Sequence, residues 1–300
     1  MLTIFTTPKS FRGYLNIIQT NAIQSWLLLC TEIEVILLGN EEGTAEVASK
    51  FGVRYLPDVE CNEYGTPLLN SLFSMAQNNA KYELMCYVNA DIILMNNFIE
   101  AVHNVHKQPF LMVGQRWDVD LKELVNFNDP EWDTKLQAYA RKSGKLHPKS
   151  GSDYFVFPRG LYKDTPSFTI GRRCWDNWLM YQARLLGASL IDATEVITAI
   201  HPNHDYSHIT SDNQSVWKGK EHIRNLELME GEEHAFTIEH ANWVLGSGGM
   251  KRALTIRSLY FQLVASIIIT PYLHFLSRLM RALTKLIIAI RHQLRGITAS

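Results

Sequence analysis

The run Leu84-Met85-Cys86-Tyr87-Val88, which leads straight into Asn89-Ala90-Asp91, constrains the fold more than any other stretch of the chain. A short, unbroken apolar run bounded by polar residues reads as a strand covered on both faces. It closes a series. Leu2 to Thr6, Glu34 to Leu38 and Arg54 to Leu56 also read as strands. Helical stretches separate them: Phe11 to Cys30, Glu42 to Phe51 (ended by Gly52), and Pro67 to Asn79 with proline in the first turn. Asn96 to His106 continues the alternation. Strands spaced by helices of this length predict βαβ units, a parallel sheet and right-handed crossovers, a Rossmann-like half. Such sheets bind ligands at the carboxyl ends of their strands. Attention therefore falls on Thr6-Thr7-Pro8-Lys9, Gly39-Asn40-Glu41, Pro57-Asp58 and Asn89-Ala90-Asp91. No G-x-G-x-x-G or Walker sequence follows any of these strands, which argues against dinucleotide and P-loop sites.

The second half is less regular. Phe110 to Val113 reads as a strand ending in Gly114-Gln115-Arg116-Trp117-Asp118. Leu121 to Arg141 contains a helical stretch, and Lys142 to Gly151 has loop composition. Tyr154 to Phe157, Ser189 to Ile191 and Val196 to Ile200 read as strands, and Trp175 to Leu186 as an amphipathic helix. A histidine-rich loop, His201 to His208, follows. We expect one domain over 1–245, divided into a ligand-binding half (1–113) and a half that completes the site (114–245), with a tail over 251–300.

Charge divides the chain. The net charge is -1, too low for a general nucleic-acid binder. After Glu239 no acidic residue occurs, and from Lys251 onward every charged side chain is Lys or Arg. Leu259 to Leu276 is uncharged, near the lower length limit for a span, and contains Pro271 and His274. Leu279 to Leu294 mixes basic and apolar residues at helical spacing. The tail therefore reads as an interfacial helix on an anionic membrane, favoured over a true span, or as a helical hairpin packed on the domain or on a second copy. Cys30, Cys61, Cys86 and Cys174 show no metal-type spacing, so free thiols and a reducing, cytoplasmic setting are expected. Met1 leads directly into a β-rich run rather than a secretory signal.

Among the strand-end residues, Asp91 can hold a hard divalent cation while phosphate oxygens complete its shell, with Asn89 on the same strand face. The competing reading is a turn that caps the next element. Asp176 opens a helix. It is either an N-cap or a general base whose basicity Trp175 and Trp178 raise. His201 and His204 belong either to a solvated loop or to a metal site.

Asn89-Ala90-Asp91 resembles the D-x-D position of GT-A-fold glycosyltransferases, the family 2-like group in particular. Gly114 to Asp118, Gly151 to Arg159, Trp175 to Trp178 and His201 to His208 resemble further segments of that group in the same order, over roughly residues 2 to 210. The resemblance implies an α/β, Rossmann-like GT-A nucleotide-diphospho-sugar transferase fold with a mostly parallel central sheet and a C-terminal helical appendage. It implies that Thr6, Thr7 and the Gly39-Asn40-Glu41 turn line the nucleobase and ribose, with Asp58 a further nucleoside contact. Asp91 and His201 or His204 then hold Mn²⁺ or Mg²⁺, and Asn89 meets the ribose or a metal-bound water. Asp176 takes the place of the aspartate of x-E-D, the base of an inverting transfer. Lys142 to Gly151 becomes a flexible loop near donor and acceptor. Two departures stand out. Asn89 replaces an aspartate, which removes a negative charge, and Trp175 replaces a glutamate. Asp153 is the substitute carboxylate, ranked behind Asp176 as base. Arg116 and Arg159 are candidates for diphosphate contacts or for structural ion pairs.

The expected activity is transfer of a sugar from a nucleoside-diphosphate sugar to a hydroxyl acceptor, glycan or lipid-linked, at the cytoplasmic face of a membrane. Two alternatives remain: a sugar-phosphate nucleotidyltransferase, and a catalytically inactive binding protein of the same fold that docks on membranes.

Overall fold

The computed structural model describes residues 1–204 and 219–270. The elements run β1 (Leu2–Thr6), α1 (Gly13–Leu27), β2 (Ile33–Leu38), α2 (Thr44–Phe51), β3 (Arg54–Leu56), α3 (Leu69–Asn79), β4 (Leu84–Val88), β5 (Ile93–Leu94) and α4 (Asn97–His103). They continue with β6 (Phe110–Val113), β7 (Arg116–Val119), α5 (Trp132–Ser143), β8 (Lys145–Leu146), β9 (Tyr154–Pro158), α6 (Trp175–Leu185), β10 (Ser189–Asp192) and β11 (Ala199–Pro202). The last are α7 (Lys220–Leu228), β12 (Trp243–Gly246), β13 (Gly249–Arg252) and α8 (Ile256–Ile269).

The expected mostly parallel, Rossmann-like sheet is present. It is nine-stranded, in the order β13-β12-β10-β6-β9-β4-β1-β2-β3. The pairs β12-β10, β10-β6, β4-β1, β1-β2 and β2-β3 are parallel. Two strands are exceptions: β9 lies antiparallel between β4 and β6, and the edge strand β13 is antiparallel to β12.

The unbroken apolar run of β4 has a direct cause. Met85 and Tyr87 point into one core, with Phe5, Phe73 and Phe157. Cys86 and Val88 point into the other, with Ile4, Trp26 and Phe98. A strand with cores on both faces has no polar side to show. In the first core Phe73 stacks on Phe157 at 5.6 Å, and Phe5 and Tyr162 meet Phe73 edge-on at 5.2 and 5.7 Å.

A second, four-stranded sheet, β5-β11-β7-β8, sits beyond the carboxyl end of β4. β11 runs parallel to β7 and pairs His201 with Asp118 and Ile200 with Trp117. Several expectations shift here. Arg116 to Asp118 belongs to a strand rather than to the turn after one. His201 lies within β11, because the strand occupies Ala199–Pro202 rather than stopping at Ile200. Lys142 to Gly151 is not all loop, since α5 reaches Ser143 and Lys145–Leu146 pairs with β7. Pro67 is not helical: it bridges Cys61, and α3 starts at Leu69.

The β12–β13 hairpin was not anticipated. It places Lys251 and Arg252 in the main sheet. α8 follows, capped by Thr255, whose hydroxyl accepts from the Ser258 amide at 3.1 Å. Ala265, Ile267 and Ile268 are buried, while Ile256, Leu259, Tyr260 and Leu263 are exposed. No described helix is long and apolar enough to cross a membrane. The remainder of the tail, including Arg278, Arg281, Lys285, Arg291 and Arg295, lies outside the described residues.

Candidate functional site

The register of β4 and β9 builds the centre of the site. Val88 pairs with Tyr154, so the residue after β4 meets the residue before β9. The Asn89 amide donates to the Asp153 carbonyl at 2.9 Å, and Asn89 Nδ2 donates to Asp153 Oδ1 at 2.7 Å. Asp153 Oδ2 accepts from Arg116 Nη1 at 2.7 Å. Arg116 reaches from β7 and also donates through Nε to Asp118 Oδ1 at 2.8 Å. The other Asp118 oxygen lies 2.8 Å from His147 Nδ1.

This chain of charges ends at three converging ligands. Asp91, in the turn between β4 and β5, lies 3.1 Å from His204 Nε2 and 3.6 Å from His201 Nε2. On its far side, His201 Nδ1 lies 3.4 Å from Asp118, the residue it faces across the β7–β11 pair. One donor atom from each of Asp91, His201 and His204 falls within 4.8 Å of the others. Oδ1 of Asp91 is buried and accepts no hydrogen bond among the described residues. A carboxylate and two imidazoles that converge on an unmet buried oxygen fit a divalent metal ion. Asp118 faces the far nitrogen of the ring that β11 presents, the position from which a carboxylate can orient a ligating histidine. His208 lies outside the described residues.

The charges follow from these contacts. Burial pushes Asp91 up, but hydrogen bonds and charge from His201 and His204 outweigh it and hold the carboxyl well below its usual range. Burial acts on His201 in the opposite sense, and Asp118 and Asp91 overcome it, raising the imidazole to about 9. Asp118 is held far down against burial by His147, His201 and Arg116.

Across the cleft, Asp176 stands in the first turn of α6. Burial raises it to about 6; the Asn177 amide lowers it and the Asp153 charge raises it. The chain passes over this carboxylate at Gly151, where an added Cβ would come within 2.6 Å of Asp176 Oδ2. That segment, expected to be a flexible loop, is tied down at several points. Lys149 pairs with Asp192 at 2.6 Å, and the Ser150 carbonyl accepts from Asn177 at 2.7 Å. Gln115 Nε2 donates to the His147 carbonyl at 2.5 Å.

A cleft of about 630 Å³ joins these groups and is lined by Thr7, Asn89, Asp91, Arg116, Asp153, Asp176, His201 and His204 among others. The remaining candidates lie off its wall. Thr6 is wholly buried in β1. Gly39, Asn40 and Asp58 follow β2 and β3, one and two strands further toward the sheet edge, and Asn40 accepts from Tyr55 at 2.9 Å. Arg159 is at the wrong end. Pro158 pairs with Leu84, the start of β4, so Arg159 meets Glu83 and the Ala80 carbonyl. Asp118 and His147 were not singled out as a pair from sequence, because pairing between strands far apart in the chain leaves no local pattern. Lys9, which follows β1, also lines the cleft. Buried Gln19 clamps its backbone, accepting from the Lys9 amide at 2.7 Å and donating to its carbonyl at 2.9 Å.

Comparison with solved structures places the chain beside glycosyltransferases at low identity. It is similar to residues 1–349 of S. aureus TarS in complex with UDP-GlcNAc (14% identity, TM-score 0.48), covering 70% of this chain and 60% of that one. It is similar to the mannosyltransferase PcManGT of Pyrobaculum calidifontis with GDP-Man and Mn²⁺ (12%, TM-score 0.43; 69% and 58% covered). It is also similar to the Mycobacterium tuberculosis glucosyl-3-phosphoglycerate synthase with Mg²⁺ and UDP (13%, TM-score 0.45; 77% and 80% covered). No family model matches the sequence, and no curated protein matches it.

The Arg116–Asp153 pair is shielded, with side chains 14% and 12% exposed. Removing the cation leaves Asp153 without a charge partner among the described residues, so Arg116→Met is expected to cost about 3–5 kcal/mol in urea unfolding. Unfolding midpoints of the two proteins check this.

Proposed function

We propose that the chain is a metal-dependent glycosyltransferase that moves a sugar from a nucleoside-diphosphate sugar to an acceptor hydroxyl. The observation that carries this reading is the convergence of Asp91, His201 and His204 at the carboxyl end of β4, across one cleft from a buried carboxylate. In an α/β sheet this is where ligands bind. The ordered sequence segments that resemble family 2-like transferases supply the substrate class.

Asp91, His201 and His204 would hold the ion. The two imidazoles suit Mn²⁺ better than Mg²⁺, which takes oxygen ligands. When bound, the ion supplies positive charge against the donor's diphosphate. Lys9 adds a second cation on that side, since the charge of Asp91 acts on it. Arg116 contributes mainly by fixing Asp153 and Asp118.

Asp176 is the base. Both oxygens of Asp153 are engaged by Asn89 and Arg116, so that carboxylate is suited to positioning rather than to proton transfer. Asp176 takes the proton of the acceptor hydroxyl as its oxygen forms a bond to the anomeric carbon. The bond from that carbon to the diphosphate breaks, and its electron pair leaves on the diphosphate oxygen. Attack opposite the leaving group inverts the centre.

The exposed face of α8 supports contact with an anionic membrane. Ile256, Leu259, Tyr260 and Leu263 follow helical spacing and are exposed, beside Lys251, Arg252 and Arg257. Arg252 and Lys107 stack on Trp243 at 4.3 and 4.9 Å, adding two cations and an aromatic ring at the sheet edge.

Four outcomes are expected. A nucleoside diphosphate with Mn²⁺ raises the melting temperature more than with Mg²⁺, and Asp91→Ala abolishes the shift; a shift that survives Asp91→Ala sinks the metal assignment. Turnover is half-maximal near pH 6, rises above it and falls as acid protonates Asp176, whose carboxyl is raised to about 6. Asp176→Asn lowers kcat by about 10²–10⁴-fold. In flotation with vesicles, the chain binds phosphatidylglycerol-containing membranes and not neutral ones, and Ile256→Asp with Leu263→Asp releases it.

A further inference from the structure

One imidazole of the cleft wall has no part in the transfer chemistry above. His147 follows β8, whose pairing with β7 sets Leu146 against Trp117 and Lys145 against Asp118. That register holds the residue on three sides. The His147 amide donates to the Arg116 carbonyl at 2.9 Å, and its carbonyl accepts from Gln115 Nε2 at 2.5 Å. Its ring Nδ1 lies 2.8 Å from Asp118 Oδ2. One polar atom is left over. Nε2 has no hydrogen-bond partner among the described residues, and the ring, 33% exposed, lines the cleft.

Asp118 decides what that atom can do. Against burial, its carboxyl is held far down by His147, His201 and Arg116, so it is ionised and only accepts hydrogen bonds. His147 must then donate from Nδ1, and in the neutral ring Nε2 carries a lone pair. A carboxylate on one ring nitrogen fixes the tautomer and the direction in which the other nitrogen faces. Among the described residues that lone pair lies outside the metal-ligand cluster, whose members are Asp91, His201 and His204.

The neighbours of His147 say what it meets. Asp118 stands between two imidazoles: Oδ2 faces His147, and Oδ1 faces His201 Nδ1 at 3.4 Å. In the other direction the chain runs from His147 through Ser150 to Gly151, which passes over Asp176 Oδ2. The strap thus begins beside the metal-ligand cluster and ends at the base. In a transfer the diphosphate sits at the first and the acceptor hydroxyl at the second, with the moving sugar between them. We propose that His147 reads the donor sugar: Nε2 accepts a hydrogen bond from one of its ring hydroxyls, so the cleft selects a sugar that carries that hydroxyl over its deoxy counterpart. The inference rests on the transferase reading. A site built to bond a hydroxyl disfavours the analogue without it, because a positioned polar atom is then left unpaired.

The test uses the full chain with Mn²⁺, titrated calorimetrically with UDP, GDP, UDP-glucose, UDP-galactose, UDP-N-acetylglucosamine and GDP-mannose. The singly deoxygenated forms of whichever sugar nucleotide binds most tightly follow. One deoxy form binds about fivefold more weakly than its parent, the worth of one hydrogen bond. His147→Asn keeps a donor toward Asp118 and has no atom at the Nε2 position. It weakens the parent to the same degree, leaves the nucleoside diphosphate unchanged, and abolishes the difference between the parent and that deoxy form. Three results overturn the proposal: no deoxy form binds more weakly, the losses add for every deoxy form, or His147→Asn weakens the nucleoside diphosphate as much as the sugar nucleotide. The last marks a side chain that only steadies Asp118. The deoxy series is measured on the unaltered chain, so it decides the matter even where the variant does not fold. A chain that binds neither UDP nor GDP with Mn²⁺ fails the transferase reading instead, and that failure is read from the first two titrations alone.

Discussion

The antiparallel insertion of β9 beside β4 is the constraint on which the site depends. In an all-parallel sheet, the residue entering a neighbouring strand lies at the far end from the residue leaving β4. With β9 reversed, Asp153 enters where Asn89 leaves, and the two share a backbone and a side-chain hydrogen bond. From Asp153 the charges run to Arg116, then Asp118, then His201 and Asp91. Each member is held by the next, and the second sheet exists in the right place to supply three of them. The Asp91–His201–His204 cluster is thus a consequence of strand register, with β7–β11 pairing setting His201 against Asp118 and β5–β11 pairing returning the chain beside Asp91.

That arrangement explains the asparagine at position 89. Read along the chain, Asn89 looks like a lost charge. In space, its amide donates to a carboxylate 2.7 Å away. An aspartate there would put two carboxylates in contact with one guanidinium between them, and one would have to stay protonated. The carboxylate at this point comes instead from Asp153 at the start of β9, where Arg116 neutralises it.

Much of the fold was legible because it is local. β1, β2 and β4 announce themselves by apolar runs, and Asp91 follows the last of them. Asp176 was legible as a helix-start carboxylate between tryptophans. The features that were not legible are those made by pairing at a distance. Arg116 to Asp118 looked like a turn because four residues, Arg-Trp-Asp-Val, are too short an alternation to stand out as a strand. Pro67 looked like a helix start because the bridge to Cys61 is tertiary. Arg159 sat in a promising segment, yet the strand direction carried it to the opposite end of the sheet. Gly39, Asn40 and Asp58 did fall at carboxyl ends of strands, but of these two turns only Glu41, after β2, lines the cleft.

Position 174 shows how the two walls of the cleft are held at once. Cys174 caps α6 with φ +91°, a conformation that a non-glycine residue adopts at a cost of about 1–3 kcal/mol. It is buried, and its neighbours explain why the conformation persists: Asn225 holds the Arg173 carbonyl before it, and Trp175 packs edge-on against Tyr87 at 5.3 Å after it. Tyr87 belongs to β4, two residues before Asn89. The sharp turn at Cys174 is therefore pinned between α7 and the central strand, and it decides the direction in which α6 sets out. Asp176, in the first turn of that helix, inherits its position from both. Asp176 and Asp91 are thereby referenced to one strand, and a shift of β4 would move them together.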